Sequence, residues 1–415
     1  MATCIWRGGA AAVAQVDHLT PGGTIEVGDK FIVTMTGENG NTSSISYSAT
    51  GTTVQSVVEG LHALLAASTD PLFAAVTWTE DGSKIIGTAR VAGVPFYCSV
   101  STTESDDDAA DAQTFSRSAS VANSGPNDFN TPLNWLGGSV PGAAEDAAIY
   151  EYGSVDCLYG LYGHSLASIE IRQSYTGNIG LPDVPLDTGA SHCVIGQHFG
   201  SGTPAGSGRI NVRVSDGASV TVYATGSLST DANRPPCRIT GTTIASLTQY
   251  GGTVGVSISA ADEPSVVATV NQVGGTLILG PGADVGDITK SGGTLYVHDC
   301  DSIVNSGGTT VYNGSETLVS LKVLGGEVTT YGTHATTIAE VREGTLTSNT
   351  TGTITTLNLY GGTADFTQSN AARTVTTTNI YPGTTPPMLK YDPAVVTMTN
   401  KPAPQSRALL TATAI

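Results

Sequence analysis

The chain has 415 residues, room for two or three domains with sizeable cores. Only 13% of residues are charged while 39% are hydrophobic, a balance that excludes a disordered chain. The net charge of -18, with 17 Lys and Arg against 35 Asp and Glu, argues against nucleic acid or an anionic membrane as partner, since both call for a basic surface.

From the N-terminus, the stretch MATCIWRGGAAAVAQVDHLT is rich in small apolar residues. It lacks a basic leading region, because Arg7 lies inside it, so no signal peptide and no membrane span is expected. Synthesis in a cytosol is expected. The six cysteines (Cys4, Cys98, Cys157, Cys193, Cys237 and Cys300) are scattered with no CxxC pair, and read as free, buried thiols.

Residues 1–103 read as a small α/β domain, a sheet with one helix. Strands are expected at Thr24–Thr36, Ser44–Thr50, Ala74–Glu80, Lys84–Arg90 and Pro95–Ser101. Between the second and third, Thr52 and Gln55 have capping-box spacing. Val54, Val57, Val58, Leu61, Leu64 and Leu65 then form an apolar stripe of helical period. Residues 104–133 read as a linker, opened by the acidic run Glu104, Asp106, Asp107, Asp108 and Asp111. That run reads as a solvated loop, since the EF-hand spacing with its glycine is absent.

Residues 134–383 carry a repeat. Gly-Gly pairs begin at Gly274, Gly292, Gly307, Gly325 and Gly361, in steps of 18, 15, 18 and 36, with Glu343-Gly344 midway in the long step. Each unit holds two short alternating stretches, such as Thr309–Tyr312 and Leu318–Val323. A beat this short is too small for paired helices and fits one turn of stacked strands. The expected fold is therefore mainly β: a single-stranded parallel β-helix (a solenoid) preceded by the small α/β domain. Trp135 is placed to cap its open first coil. Residues 384–415, rich in proline, read as a C-terminal cap and tail.

Several residues invite chemistry. Asp187-Thr188-Gly189-Ala190-Ser191 is similar to the signature of retroviral-type aspartic proteases, with Ile278-Leu279-Gly280 as a candidate second element. That chemistry needs two such aspartates sharing a proton, and the chain has no second Asp-Thr-Gly. His192, Cys193 and His198 do not have standard zinc spacing. Asp299 and Asp301 flank Cys300 and would share one face of a strand, as a lyase or hydrolase on a β-helix would require. Tyr150, Tyr152, Tyr159 and Tyr162 cluster where the solenoid begins, and suit either an interface or first-coil packing. No catalytic, cofactor-binding or metal residue is assigned, and no cofactor is expected.

The chain also resembles a group of phage and planctomycete structural proteins. The likeness is carried by Trp6-Arg7-Gly8-Gly9-Ala10, Glu26-Val27-Gly28-Asp29-Lys30 and Ala92-Gly93-Val94-Pro95-Phe96. Ser174-Tyr175-Thr176-Gly177-Asn178-Ile179-Gly180-Leu181-Pro182, Gly206-Ser207-Gly208-Arg209-Ile210, the Gly-Gly-Thr coils and Val395-Val396-Thr397-Met398-Thr399-Asn400 continue it. The resemblance implies a non-enzymatic virion protein made in a host cytoplasm and displayed on the virion surface. A capsid decoration or cement protein is the leading expectation, partnered by major capsid or tail proteins. A tail spike or fibre, or an adhesin binding host surface glycans, is the second, and a β-helix polysaccharide lyase or hydrolase the third. A homotrimer is expected by analogy with such spikes.

Overall fold

The structure is a computed structural model. It describes residues 3–400 apart from positions 39, 106–111, 143–145, 162, 165, 167, 173, 176, 182–185, 188–191, 196–209, 224–236, 259–262 and 382–385.

The chain is mainly β, and most of its strands belong to one large curled parallel sheet. Strands pair with the next strand but one. Leu318–Val323 pairs with Thr336–Val341, then Ile354–Leu359, then Arg373–Ile380. Interleaved with these, Thr309–Gly314 pairs with Glu327–Gly332, then Thr345–Ser348, then Thr363–Asp365. The chain thus visits two parallel ladders in turn. Thr276–Lys290 and Thr294–Asn305 run long enough to contribute a rung to each.

The 18-residue beat is the register of these ladders. Leu321, Ala339 and Leu357 stand in one column, 18 residues apart, and all are buried. Val328, Leu346 and Ala364 form another. Side chains alternate along each strand, so one slip would turn every such column outward. Fully burying each Leu or Val stabilises by about 1.5–3 kcal/mol relative to exposure.

The glycine pairs make the corners. The second glycine is left-handed in coil after coil, as at Gly293 (φ 73°) and Gly344 (φ 77°). A Cβ at Gly344 would sit 2.2 Å from the carbonyl oxygen of Gly326, one rung below. The first position is more tolerant, and Glu343 occupies it.

The N-terminal α/β unit holds the expected helix, Val54–Ala67. Its N-cap is Thr53, whose hydroxyl accepts from the Ser56 N–H at 3.2 Å, one residue later than the capping-box spacing suggested. Val57, Val58, Leu61 and Leu65 are buried as expected, while Leu64 is exposed. The helix packs on two antiparallel sheets. Val76–Glu80, Ile85–Ala89, Val16–Gly23 and Gln113–Val121 make one, and Thr42–Ser48, Lys30–Thr36 and Tyr97–Thr103 make the other.

Several expectations are corrected. The strand expected at Thr24–Thr36 begins only at Lys30, because Gly28 takes a left-handed φ of 109° in a turn before it. Gln113–Val121, expected inside a linker, is a strand paired along its length with Val16–Gly23. Its Ser-rich composition hid it: Phe115 packs on Phe31, but from Ser116 to Val121 the strand is mostly exposed on both faces. Thr3–Ile5 belongs to the parallel sheet, paired with Ala147–Tyr150, so the α/β unit is inserted between the first rung and the second. Pro386, Pro387 and Pro393 do not end the ladders: they lie in connections, and Met388–Lys390 and Val396–Asn400 each add a rung, while the expected tail at 401–415 lies outside the described residues.

Candidate functional site

Trp135 does lie at the end of the ladders, buried against Trp6, Phe129 and Tyr150. Its indole N–H donates to the Phe129 carbonyl at 2.7 Å, and that of Trp6 to the Val155 carbonyl at 2.9 Å, so both rings are buried without stranding a donor. The tyrosine cluster splits. Tyr150 packs in this core against Tyr175, Tyr152 is 80% exposed, Tyr159 is half-buried, and Tyr162 lies outside the described residues.

The protease-like motif is only partly described. Leu186–Asp187 is a short strand paired with Val212 and Arg213, and 188–191 lie outside the described residues. Ile278 to Gly280 run inside a ladder strand, with Gly280 pressed close to Ser257 of the neighbouring rung. Cys193 is buried between Ile169 and Val220 of adjacent rungs, and His198 lies outside the described residues. All six cysteines are free and buried. Burial pushes the Cys98 and Cys237 thiols up to about 12 and raises Cys193 further, so none is a poised nucleophile. Of the acidic run, Glu104 accepts from the Gln113 N–H at 3.1 Å, and 106–111 lie outside the described residues.

Asp299 and Asp301 do share the outer face of their strand, with Cys300 turned inward between them. Asp284 stands beside Asp299 on the next rung. Asp299 is committed to its own chain: it accepts from Ser315 N–H at 2.8 Å, from Glu316 N–H at 3.0 Å, and contacts His298 Nδ1 at 2.7 Å. Burial acts to raise its pKa, but these hydrogen bonds prevail and hold it below the ordinary carboxylate value. A carboxylate ionised and engaged in this way closes the corner before Ser315. It is poorly suited to donate a proton at neutral pH.

Two features escaped sequence reading. The first is a buried polar column. Gln249, Gln272, Lys290 and Asn305 lie on successive rungs with no exposed surface. They point under the glycine corners and satisfy their carbonyls. Gln272 Nε2 donates to Gly275 O at 3.2 Å and Thr294 O at 2.9 Å, Lys290 Nζ to Gly307 O, and Asn305 Nδ2 to Gly325 O at 2.6 Å. Burial drives the Lys290 ammonium down to about 8. The signal was present, because each residue stands two places before a Gly-Gly pair.

The second feature is the joint between the α/β unit and the ladders. The Gly160 N–H reaches both oxygens of Glu38 at 3.1 Å, and Tyr97 O–H donates to one at 3.2 Å. Asp128, buried nearby, accepts from Asn123, Asn130 and Thr131. Burial, with Asp128 adding its charge, lifts the Glu38 carboxyl to about 6 against the pull of its hydrogen bonds.

The outer surface carries aromatic pairs at one corner. Tyr223 and Tyr250 stack at 5.3 Å, and Tyr360 and Tyr381 at 4.3 Å, with the Arg342 guanidinium 4.9 Å from the Tyr360 ring centre. No family model, no curated protein and no solved structure matches the chain.

Proposed function

We propose that the chain is a non-enzymatic virion structural protein: a parallel β-helix solenoid held out from a particle by the α/β unit, most simply as a capsid decoration protein. The observation that carries this reading is the insertion of the α/β unit within the first coil. Chain passes into it after Thr3–Ile5 and returns before Ala147–Tyr150, and the two passages are tied by Val13 and Ser124, with Val13 N–H donating to Ser124 O at 2.7 Å. A unit held by two strands of chain and by the Glu38 joint transmits load to the ladders without a single-linker hinge. A spike or shell protein needs that stiffness. The engagement of Asp299 by its own backbone favours a structural role over acid–base chemistry.

A glycan-binding tail spike is the second reading, favoured by the exposed tyrosines at the Tyr223–Tyr250 corner. Immunogold labelling of phage particles with antibody to the full chain separates these readings. Uniform label on the shell supports decoration, and label at one vertex supports a tail spike. Absence from particles refutes a virion role. Depolymerisation of a polysaccharide by the purified chain, lost in Asp299→Asn or Asp301→Asn, refutes the non-enzymatic part.

A further inference from the structure

Four segments meet where the α/β unit joins the ladders: 5–14, 90–96, 115–127 and 129–142. Hydrogen bonds knit them together. Val13 pairs with Ser124, Gly93 N–H donates to Val13 O at 3.2 Å, Ala10 N–H donates to Asn134 Oδ1 at 2.9 Å, and Leu136 N–H donates to Ile5 O at 2.8 Å. Their surface is unusually apolar. Val13, Val91, Val121, Leu133 and Leu136 are exposed by 40%, 60%, 38%, 72% and 56%.

Their charge is more unusual still. In a chain with 35 acidic residues, these four segments contain none; Asp128, between them, is buried, and Asp146 reaches their edge, accepting from Gly142 N–H at 3.3 Å. Their charged residues are Arg7, Arg90 and Arg117, and Arg117 is neutralised by the buried Asp17 at 2.6 Å. Two copies carrying a net charge of -18 repel each other over most approaches. This face is where that repulsion is weakest and where contact removes large apolar side chains from water. It also lies at the end of the ladders, beside Trp6 and Trp135 of the terminal rung, so copies meeting there would leave the later coils uncovered.

We propose that this acid-poor apolar face is where copies of the chain associate with one another. Association here does not depend on a virion role, so a failed particle-labelling experiment would leave it intact. The test is sedimentation equilibrium of the purified full chain at rising concentration. The expected mass climbs from 42.1 kDa toward an integer multiple of it. Val91→Glu combined with Leu133→Glu should lower the association constant by tenfold or more. Val319→Glu, at a 52% exposed position out on the coils, should leave it unchanged. Circular dichroism reports whether the double variant folds, and Val91→Ser with Leu133→Ser replaces it if not, with a smaller weakening expected. A mass of 42.1 kDa at every concentration overturns the proposal. So does an oligomer indifferent to both double variants, or one disrupted equally by Val319→Glu.

Discussion

Replacing Lys290 with glutamine should stabilise the protein. Lys290 has no exposed surface, and the neighbours in its column are Gln272 and Asn305, both neutral. Burial holds its pKa near 8 against an ordinary 10.5. At about 1.36 kcal/mol per pKa unit, keeping the ammonium charged at pH 7 costs the folded state roughly 3 kcal/mol. A glutamine at this position would continue the amide column begun by Gln249 and Gln272 and could still donate to the Gly307 carbonyl. Allowing about 1 kcal/mol for a poorer hydrogen bond, the net gain is about 2 kcal/mol. The sign of the pH dependence follows. Between about 8 and 10.5 the unfolded chain still binds the proton that the folded chain has released, so wild-type stability rises with pH across that window. Lysine's destabilisation is full below it and gone above it. Urea denaturation of wild type and Lys290→Gln at a series of pH values measures both effects. The two stabilities should converge as pH rises from 8 to 10.5. A variant weaker than wild type at pH 7, or a gap that stays constant with pH, would refute the reasoning.

Gly344→Ala should destabilise well beyond the ~1–3 kcal/mol of left-handed backbone strain, because its Cβ would also strike the Gly326 carbonyl 2.2 Å away. Gly217→Ala, with φ 74° but nothing within 4 Å, should cost the strain alone, and thermal melts compare the two. Glu38 has a folded pKa raised from 4.5 to about 6, so its stabilising contribution is complete below 4.5 and lost as pH rises through 6. Glu38→Gln should abolish that fall of about 2 kcal/mol in denaturant titrations run across the window. The six buried thiols should react with a chromogenic disulfide reagent only on unfolding, and rapid labelling of several thiols in the native protein would contradict the core packing.

The ladders were readable because their cause is local. A glycine pair and two alternating stretches recur at fixed spacing, and that spacing is the register. The amphipathic helix at Val54–Ala67 was readable for the same reason, its stripe being written in consecutive turns. What escaped was long-range. Nothing in Thr-Cys-Ile announces that it pairs with Ala147–Tyr150, and the Ser-rich stretch at 113–121, with Arg117 on its one less polar face, offers too little apolar bulk to mark a strand. Asp299 and Asp301 were placed correctly on one face. The donors that engage Asp299 come from Ser315 and Glu316, on the next coil, and no spacing rule pointed to them. The Lys290 column was the reverse case: it was legible two places before the glycine pairs at Gly251, Gly274, Gly292 and Gly307, but a lysine within a charge-poor repeat reads as surface until burial is known.

The insertion of the α/β unit also sets an order on folding. Thr3 and Ala147 are partners across 144 residues of chain, a loop whose closure is entropically costly if made from a random coil. Once the α/β unit has folded, Val13 and Ser124 are held together and most of that loop has already been closed. Closing the first rung then requires only the short remaining arms to meet. A chain emerging N-terminus first would complete the α/β unit, clasp its own beginning against Ala147–Tyr150, and present a finished template edge to which each later coil adds in turn.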